Sequence, residues 1–182
     1  MTPWQLRKAA KIIHNGGIIA YPTESVFGLG CDPLNFNAVE KICSLKNRQL
    51  SKGLILIVSS LDQAEPYTNA TNIQLKKILS KTKRPTTWLL PASQTCPLWI
   101  RGKHDSVAIR LIHHAAARKL CSQAGSALVS TSANLSGRPS LKKAGEVQRV
   151  FGSAIDMIVY ESTGKQSLTS EIRDLASGKT LR

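Results

Sequence analysis

The sequence predicts an α/β protein built on a mixed β-sheet with flanking helices. Short apolar runs typical of buried strands alternate with segments whose apolar residues recur at helical spacing. The run over 54–58 contains only Leu, Ile and Val, as in a strand that is covered on both faces. The chain has 182 residues and is 42% hydrophobic, which is enough to bury one sizeable core. We therefore expect a single domain over 1–182.

The N-terminal half alternates helix and strand from its first residues. Thr2 and Pro3 form a helix start, with Thr as the cap and Pro in the first turn, and Gly16-Gly17 ends that helix. The elements expected next are a strand over 18–21, a helix over 37–45, a strand over 54–58 and helical segments over 62–67 and 73–80.

The C-terminal half continues this alternation and ends in a hairpin. One strand contains a single charge, Arg110, which either faces outward or needs a buried partner. The expected elements are strands over 87–90, 107–111, 127–130 and 155–160, helices over 114–124 and 142–151, and a hairpin from 171–175 to 180–182.

The charge balance is the most informative bulk property. Twenty-five Lys and Arg residues stand against eleven Asp and Glu, a formal net charge of +14. This surplus indicates a polyanionic partner, either nucleic acid or nucleotide phosphates, more than general solubility. Membrane contact is disfavoured, because the sequence has no apolar run that could cross a bilayer, no basic amphipathic helix with an aromatic face and no N-terminal signal-peptide pattern.

Several common chemistries find little support in the sequence. The four cysteines form no C-x-x-C pair and the four histidines have no metal-ligand spacing, so we expect no metal site and cysteines that are reduced core thiols of a cytoplasmic protein. The chain also lacks the phosphate-binding G-x-x-x-x-G-K-[ST] loop and the G-x-S-x-G of serine hydrolases, and Gly28-Leu-Gly30 lacks the rest of a dinucleotide fingerprint.

Cations and short polar side chains collect where the expected strands end. Ligands of open α/β sheets bind beyond strand ends, where loops converge. Lys and Arg at such positions would form charge-assisted hydrogen bonds with phosphate or carboxylate oxygens. The residues so placed are Thr23, Ser25, Lys46, Arg48, Lys52, Ser106, Arg110, Ser130, Thr131, Ser132 and Asn134.

Each of these features also has a structural interpretation. Lys46-x-Arg48 is typical of a solvated helix end, where cations suit the helix dipole. The run from Ser130 to Asn134 is typical of a cap before the next helix, and Thr23 and Ser25 suit a turn beside Pro22. Taken singly, each structural interpretation is favoured, whereas the joint position of these residues beside cations favours an anion site.

Six stretches occur in an order and at a spacing that together carry a family likeness. They are Tyr21-Pro-Thr-Glu-Ser-Val-Phe-Gly-Leu-Gly-Cys-Asp32, Lys46-Asn-Arg48, Lys52-Gly-Leu-Ile-Leu-Ile57, Ser106-Val-Ala-Ile-Arg110, Ser130-Thr-Ser-Ala-Asn-Leu-Ser-Gly137 and Ser170-Glu-Ile-Arg-Asp174. Together they resemble the YrdC/TsaC family of threonylcarbamoyl-AMP synthases. The resemblance extends over nearly the whole chain.

The resemblance implies a YrdC-like twisted open mixed sheet with a basic concave face, in the short single-domain form. It implies an enzyme that converts L-threonine, bicarbonate and ATP, with Mg²⁺ on the ATP, to L-threonylcarbamoyladenylate and diphosphate. Partner proteins would then transfer the threonylcarbamoyl group to the adenosine beside the anticodon of tRNA, and the family likeness leaves open whether the enzyme also binds tRNA itself. No dedicated metal site is implied, because no carboxylate cluster is apparent in the sequence.

The same likeness assigns roles to individual residues. Those implied in catalysis are Lys46, Arg48, Ser132 and Asn134. Those implied in ATP binding are Arg48, Lys52, Ser106, Ser132, Asn134, Ser140 and Arg182. Those implied in threonine binding are Thr23, Ser25, Arg110, Ser130 and Ser170.

The chain departs from the family pattern at two places, and a second function class stays open. Many relatives have Trp-Pro-Gly-Pro where this chain has 83–87, and Ser25 replaces a usual Thr while keeping the hydroxyl. The alternative is a basic module that binds double-stranded RNA or tRNA without catalysis, which explains the net charge well. It does not explain the hydroxyl-rich loops or an Arg inside a strand.

Overall fold

The protein is an open, eight-stranded sheet with helices on both faces, as described by a computed structural model over residues 1–79, 84–165 and 170–181. The helices in these ranges are α1 (Pro3–His14), α2 (Phe36–Leu45), α3 (Asn72–Leu79), α4 (Leu98–Arg101), α5 (Ala115–Ala124) and α6 (Ala144–Phe151). The strands are β1 (Ile19–Pro22), β2 (Phe27–Gly30), β3 (Ile55–Val58), β4 (Thr86–Pro91), β5 (Ser106–Leu111), β6 (Leu128–Ser132), β7 (Met157–Ile158) and β8 (Glu171–Asp174).

The sheet is mixed, as the sequence predicts. Its strand order is β7-β1-β2-β6-β3-β5-β4-β8. The pairs β7/β1, β3/β5 and β4/β8 are parallel, and the other four neighbouring pairs are antiparallel. This order places β2, β6, β3 and β5 side by side, so the polar ends of four strands that are distant in sequence become neighbours.

Four elements differ from expectation. Strand β2 was not predicted, because two of its four residues are glycine, which weakens strand propensity. Helix α4 was missed as well, since it is a single turn after Pro97. The helix expected over 62–67 is only a 3-10 turn, Glu65–Tyr67, and the strand expected over 155–160 is only the two residues of β7.

The C-terminal hairpin is confirmed only in part. Strand β8 pairs in parallel with β4 at the edge of the sheet, and a single antiparallel bridge joins Arg173 to Thr180. The carboxylate of Asp174 closes the turn by accepting hydrogen bonds from the backbone N–H and the hydroxyl of Ser177. The end of the expected hairpin, Arg182, and residue 80 of the expected third helix lie outside the described residues.

Strand alternation gives the sheet two different faces. One face carries Phe27, Leu56 and Ile109 and is buried under α2, α6 and their neighbours. The other face carries Tyr21 and Ile57, and α1 and α5 cover it. On this second face the two helices lie over β7, β1 and the ends of β3 and β6, and they leave the rest of the face open. The four cysteines are buried and unpaired, as expected.

Two backbone segments, the turn Leu50–Lys52 and α4, lie close together at one side of the uncovered part of the second sheet face. The turn Leu50–Lys52 packs against α4, with the Lys103 N–H donating to Ser51 O at 3.1 Å and the Leu54 N–H donating to Ile100 O at 2.8 Å. Gly102 makes this approach possible, because a Cβ there would lie 2.4 Å from Ser51 O and its φ of +66° favours glycine.

We expect Gly102→Ala to destabilise the protein by about 3 kcal/mol, the sum of left-handed strain and a backbone clash that cannot relax easily. Gly125→Ala is the matched control, since its φ is +68° and nothing lies within 4 Å of the added Cβ. The control should lose only about 1 kcal/mol. Chemical denaturation of the two variants measures the difference, and equal losses would contradict the proposed clash.

Candidate active site

The open part of the second face holds a cavity of about 470 Å³. Its floor is made of small side chains from neighbouring strands: Gly28 of β2, Ser130 of β6 and Ala108 of β5. These residues share the cavity face because Ser130 is paired with Ile55, which in turn is paired with Ala108. These small side chains fill less volume than the Leu and Ile side chains of the adjoining core. The cavity is the space that they leave, so it follows directly from the sequence of the strands.

Most of the residues to which the family likeness assigns a role line this cavity. Those that do are Thr23, Ser25, Arg48, Lys52, Ser106, Arg110, Ser130, Ser132, Ser140 and Ser170. Lys46 and Asn134 do not line it and lie behind it, as described below. Arg182 lies outside the described residues. The five residues implied for threonine and most of those implied for ATP thus line a single cavity.

Arg110 is buried and has a carboxylate partner. Only 8% of the residue is exposed, and its Nη2 pairs with Oε2 of Glu24 in the loop between β1 and β2. Burial lowers the pKa of Arg110, and the Glu24 carboxylate opposes that shift by stabilising the charged form. The Nε–H of Arg110 is buried without a hydrogen-bond partner. A guanidinium held on one side and unsatisfied on another is ready to bind an anion in the cavity.

Hydroxyls surround Arg110 and are themselves held in place. The Thr23 hydroxyl donates to Val26 O at 2.7 Å, which fixes the β1–β2 loop. The Ser170 hydroxyl lies 3.0 Å from that of the fully buried Thr87 of β4. Each hydroxyl keeps further hydrogen-bonding capacity for a ligand while its position is set by the protein.

Tyr21 supports Ser130 from beneath. The phenol donates to Val129 O at 3.2 Å and hydrogen-bonds the Ser130 hydroxyl, and burial raises its pKa far above the ordinary value, so it stays neutral. The ring lies against two glycines of β2: a Cβ on Gly30 would meet Val129 O at 2.5 Å, and one on Gly28 would meet the ring at 3.3 Å. The glycines of the Phe-Gly-Leu-Gly segment therefore serve packing around Tyr21, and not dinucleotide binding.

The other end of the cavity is cationic. Arg48, Lys52 and Arg101 line it together with His104. Nη2 of Arg48 donates to Gly53 O at 2.7 Å, while its Nε–H is buried without a partner. Arg101 and His104 were not predicted for the site, because the single turn of α4 gives no periodic signal in the sequence. Their only sequence signal is a local excess of basic residues over 101–104.

The Lys46-Asn47-Arg48 segment owes its geometry to the way α2 ends. The Asn47 N–H donates to Ser44 O at 3.0 Å and the Arg48 N–H to Cys43 O at 2.9 Å, the two bonds of a Schellman motif. Asn47 has φ +48°, the left-handed conformation that Asn tolerates better than most residues. This turn sends the two cations in different directions, so that Arg48 reaches the cavity and Lys46 reaches the loop after β6.

Lys46 uses all three of its donors inside the protein. Its Nζ donates to Ser132 O, at 2.5 Å, and to Asn134 O and Asn134 Oδ1, at 2.8 and 3.0 Å. Only 6% of the residue is exposed. Burial, and secondarily the nearby Arg48 charge, lowers the pKa of Lys46 to about 8. In this state Lys46 anchors the loop that carries Ser132.

The same loop is fixed by Asn134. Its Oδ1 accepts from the Ser132 hydroxyl at 2.6 Å, and its Nδ2 donates to Leu135 O and Arg138 O, at 3.0 and 2.7 Å. The interpretation of this run as a helix cap is wrong, because the next helix, α6, begins ten residues later at Ala144. The run instead forms a rigid turn that presents Ser132 to the cavity.

The cavity has the electrostatics of an anion site. Arg48, Lys52, Arg101 and Arg110 line it, and its described lining contains no Asp or Glu. Within residues 1–79, 84–165 and 170–181, no three His, Cys, Asp or Glu side chains come together as a metal site. No helix in those ranges has the length and apolar character needed to cross a bilayer. Phosphates and carboxylates are the ligands that such a cavity attracts.

Comparison with known proteins gives one consistent result. The Sua5/YciO/YrdC family model, described as "Telomere recombination", matches residues 11–182. The threonylcarbamoyl-AMP synthase of Nitrosococcus oceani is 48% identical over 98% of this chain and 97% of its own. The crystal structure of P. abyssi Sua5 complexed with L-threonine is 32% identical with a TM-score of 0.89, over 97% of this chain but 52% of that one. E. coli YciO supports the fold alone, with a TM-score of 0.85 at 22% identity over 100% of this chain and 89% of that one.

An open mixed sheet whose exposed face forms a basic, hydroxyl-lined cleft defines an α/β protein with an anion-binding site. With the family model covering all but the first ten residues, the chain belongs to the Sua5/YciO/YrdC family. The curated relatives that match over nearly their whole length, such as the protein of Nitrosococcus oceani, are threonylcarbamoyl-AMP synthases. The similarity indicates the same activity here, the formation of L-threonylcarbamoyl-AMP from ATP and L-threonine. The family likeness seen in the sequence is thereby confirmed.

Proposed function

We propose that this cavity joins L-threonine, bicarbonate and ATP to give L-threonylcarbamoyladenylate and diphosphate. The observation that carries the proposal is the pairing, in one cavity, of a buried Arg at one end with a group of cations at the other. One end suits an amino-acid carboxylate and the other suits a triphosphate. The reaction needs both anions side by side, which is unfavourable in water and favourable between fixed cations.

At the first end, Arg110 binds the carboxylate of threonine. Thr23, Ser25, Ser130 and Ser170 surround it with hydroxyls for the amine and side-chain hydroxyl of the substrate. The support for this assignment is that Arg110 is 8% exposed, lines the cavity and has more N–H groups than the one that pairs with Glu24. The L-threonine bound by P. abyssi Sua5, a structural neighbour, is consistent with it.

At the second end, Arg48 and Lys52 bind the phosphates of ATP, with Ser106, Ser132 and Ser140 as hydroxyl partners. We add Arg101, which lines the same end. Arg182 is assigned to ATP through the family likeness alone. Mg²⁺ would arrive with the phosphates of its substrate, because the described lining offers phosphate-binding cations and no carboxylate ligand.

The chemistry requires alignment more than a reactive side chain. The threonine amine combines with bicarbonate to give a carbamate and water, and a carbamate oxygen then attacks the α-phosphorus of ATP while diphosphate leaves. Orientation of this kind supplies roughly 7–11 kcal/mol in favourable systems. Arg48 stabilises the charge that develops on the phosphoryl oxygens, and Lys46 and Asn134 hold Ser132 against them.

The product fits a role in tRNA modification. An acyl-adenylate is an activated group donor, so a further protein must accept the threonylcarbamoyl group and deliver it to the adenosine beside the anticodon. We place the reaction in the cytoplasm, where ATP and tRNA meet. The net charge of +14 also supports direct contact with tRNA during that transfer.

Release of diphosphate from ATP tests the proposal. The purified protein is incubated with ATP, Mg²⁺ and bicarbonate, with L-threonine, with L-serine or with no amino acid. Release that depends on both bicarbonate and L-threonine is the expected result. Absence of release, together with tight and salt-sensitive binding of double-stranded RNA, would replace the proposal with the non-catalytic RNA-binding module.

We expect Ser130→Ala to raise the KM for threonine about tenfold and to leave the KM for ATP within about twofold, because the lost hydrogen bond is worth about 1.4 kcal/mol on the threonine side only. Ser126→Ala, in the loop before β6 and away from this cavity, is the control. Equal losses for both substrates would place Ser130 between them and contradict the division of the cavity.

A further inference from the structure

Glu24 is a buried carboxylate that has no role in the reaction described above. It lies between Thr23 and Ser25 in the β1–β2 loop, is 8% exposed and does not line the cavity. Both of its oxygens are engaged. Oε2 pairs with Nη2 of Arg110, and Oε1 accepts the backbone N–H groups of His113 and His114, at 2.8 and 3.2 Å.

These contacts hold Glu24 from two directions. His114 is the N-cap residue of α5 and makes no side-chain cap, so the carboxylate of Glu24 caps this helix from a distant loop. The N-terminal end of α5 and the guanidinium of Arg110 thus contact the carboxylate from two sides. A buried carboxylate held between a helix terminus and a guanidinium has little freedom to rotate.

The restraint passes from Glu24 to Arg110. A guanidinium is a planar fork, so fixing Nη2 also fixes the direction of the other N–H groups. With Nη2 on Glu24, the Nε–H remains buried without a partner, and Arg110 lines the cavity. Without the carboxylate, the Arg110 side chain could turn about its own stem and satisfy these donors elsewhere.

We propose that Glu24 is a positioning residue that aims Arg110 at the carboxylate of the amino-acid substrate. The inference rests on the proposed function, because it takes threonine as the ligand of Arg110. It gives the Glu of the Pro-Thr-Glu-Ser segment a task separate from those of its hydroxyl neighbours. Loss of Glu24 would therefore affect amino-acid binding selectively.

Glu24→Gln is the first test. The amide keeps the shape of the side chain, but its NH₂ group is a donor in place of one acceptor oxygen. This NH₂ group must face either Arg110 or the α5 N–H groups, which are donors too, so one of the two contacts is lost. We expect the KM for threonine to rise 10- to 100-fold, with the KM for ATP and kcat at saturating threonine within about threefold. Glu146→Gln is the matched control: Glu146 also accepts two backbone N–H groups at a helix start, those of Lys142 and Lys143, but it is only partly buried and pairs with no Arg of the cavity.

A double-mutant cycle separates positioning from a general structural role. If Glu24 acts through Arg110, adding Glu24→Gln to Arg110→Gln should leave the KM for threonine unchanged within about twofold. Multiplication of the two effects, or a rise in both substrate KM values in Glu24→Gln, would overturn the inference. If the wild-type protein releases no threonine-dependent diphosphate, the proposed function fails, and the NMR measurement described next, which needs no turnover, decides whether Glu24 holds Arg110.

A measurement on the wild-type protein covers the case in which Glu24→Gln does not fold. In protein labelled with ¹⁵N-arginine, the Nη protons of Arg110 should be resolved without ligand, because the ion pair stops rotation of the guanidinium. The Nε–H signal should shift on addition of L-threonine and not of ATP. Arg110→Gln identifies the signals by their loss. Rapidly averaged Nη protons would show that Glu24 does not hold the side chain and would overturn the inference.

Discussion

Replacement of Lys46 by methionine is expected to lower kcat roughly 100- to 1000-fold, the range observed when a transition-state hydrogen-bond donor is misplaced. Methionine fills the buried volume but removes three hydrogen bonds that hold Ser132 and Asn134. The loop would relax, and the hydroxyl of Ser132 would leave its position in the cavity. Diphosphate release with saturating substrates measures kcat, and thermal unfolding measures how much structure is lost.

Lys41→Met is the control for this variant, because Lys41 lies on the same helix and is exposed to solvent. It should retain wild-type kcat. A folded Lys46→Met variant with full activity would show that the loop needs no anchor, and a variant that only raises the KM for ATP would show that Lys46 binds phosphate directly.

The pKa of Lys46 adds a pH dependence to this prediction. As the pH rises through about 8, the folded protein loses the Lys46 proton, the anchor weakens and kcat should fall. Stability should change in the opposite sense: between pH about 8 and 10.5, the ordinary pKa of lysine, the unfolded chain binds more protons at this residue than the folded protein, so the contribution of Lys46 to the free energy of unfolding rises with pH. Lys46→Arg should move the fall in kcat to higher pH, and a fall that stays in place would assign it to another group.

Replacement of Arg110 by glutamine is expected to raise the KM for threonine on the order of 100-fold, since loss of one member of a buried charge pair costs about 3 kcal/mol. The variant removes the charge that faces the substrate carboxylate and leaves Glu24 without its ion pair. The KM for ATP should change little, because the phosphates bind at the other end of the cavity.

Arg173→Gln is the matched control for Arg110→Gln. Arg173 also pairs with a glutamate, Glu171, at 2.9 Å, but its side chain is 37% exposed and it does not line the cavity. Steady-state kinetics with each substrate varied in turn compare the two variants. A similar rise in both KM values for Arg110→Gln would indicate a collapse of the cavity and not the loss of a threonine contact.

The sequence predicts most of this architecture, because the spacing of apolar residues along the chain is a local signal of helix or strand. Long apolar runs such as β3 and periodic helices such as α5 were predicted almost to the residue. The elements that failed were those in which tertiary contacts override propensity. Strand β2 contains glycines because Tyr21 and Val129 pack too close to it for side chains at those positions. These are tertiary contacts, so a single sequence does not reveal them.

The site shows the same division between local and tertiary signals. Cations and hydroxyls at strand ends were recognisable as types, and ten of the predicted side chains meet in one cavity. The individual contacts and roles of these residues could not be predicted from the sequence. Lys46, which the family likeness implies in catalysis, holds the loop after β6, and Glu24 was not singled out in the sequence although it pairs with Arg110. Such partners are distant in sequence, so only the folded chain reveals them.

Side chains along β5 alternate between the cleft and the hydrophobic core, and this alternation affects how the substrate specificity of the enzyme can evolve. In β5, Ser106, Ala108 and Arg110 face the cleft, whereas Val107 and Ile109 between them belong to the core. A substitution at every second position can therefore alter which small anions the cleft accepts while the hydrophobic layer behind it keeps its packing. Selection experiments for a new amino-acid substrate should therefore randomise only the positions that face the cleft. Substitutions at the neighbouring core positions would disrupt the packing of the sheet.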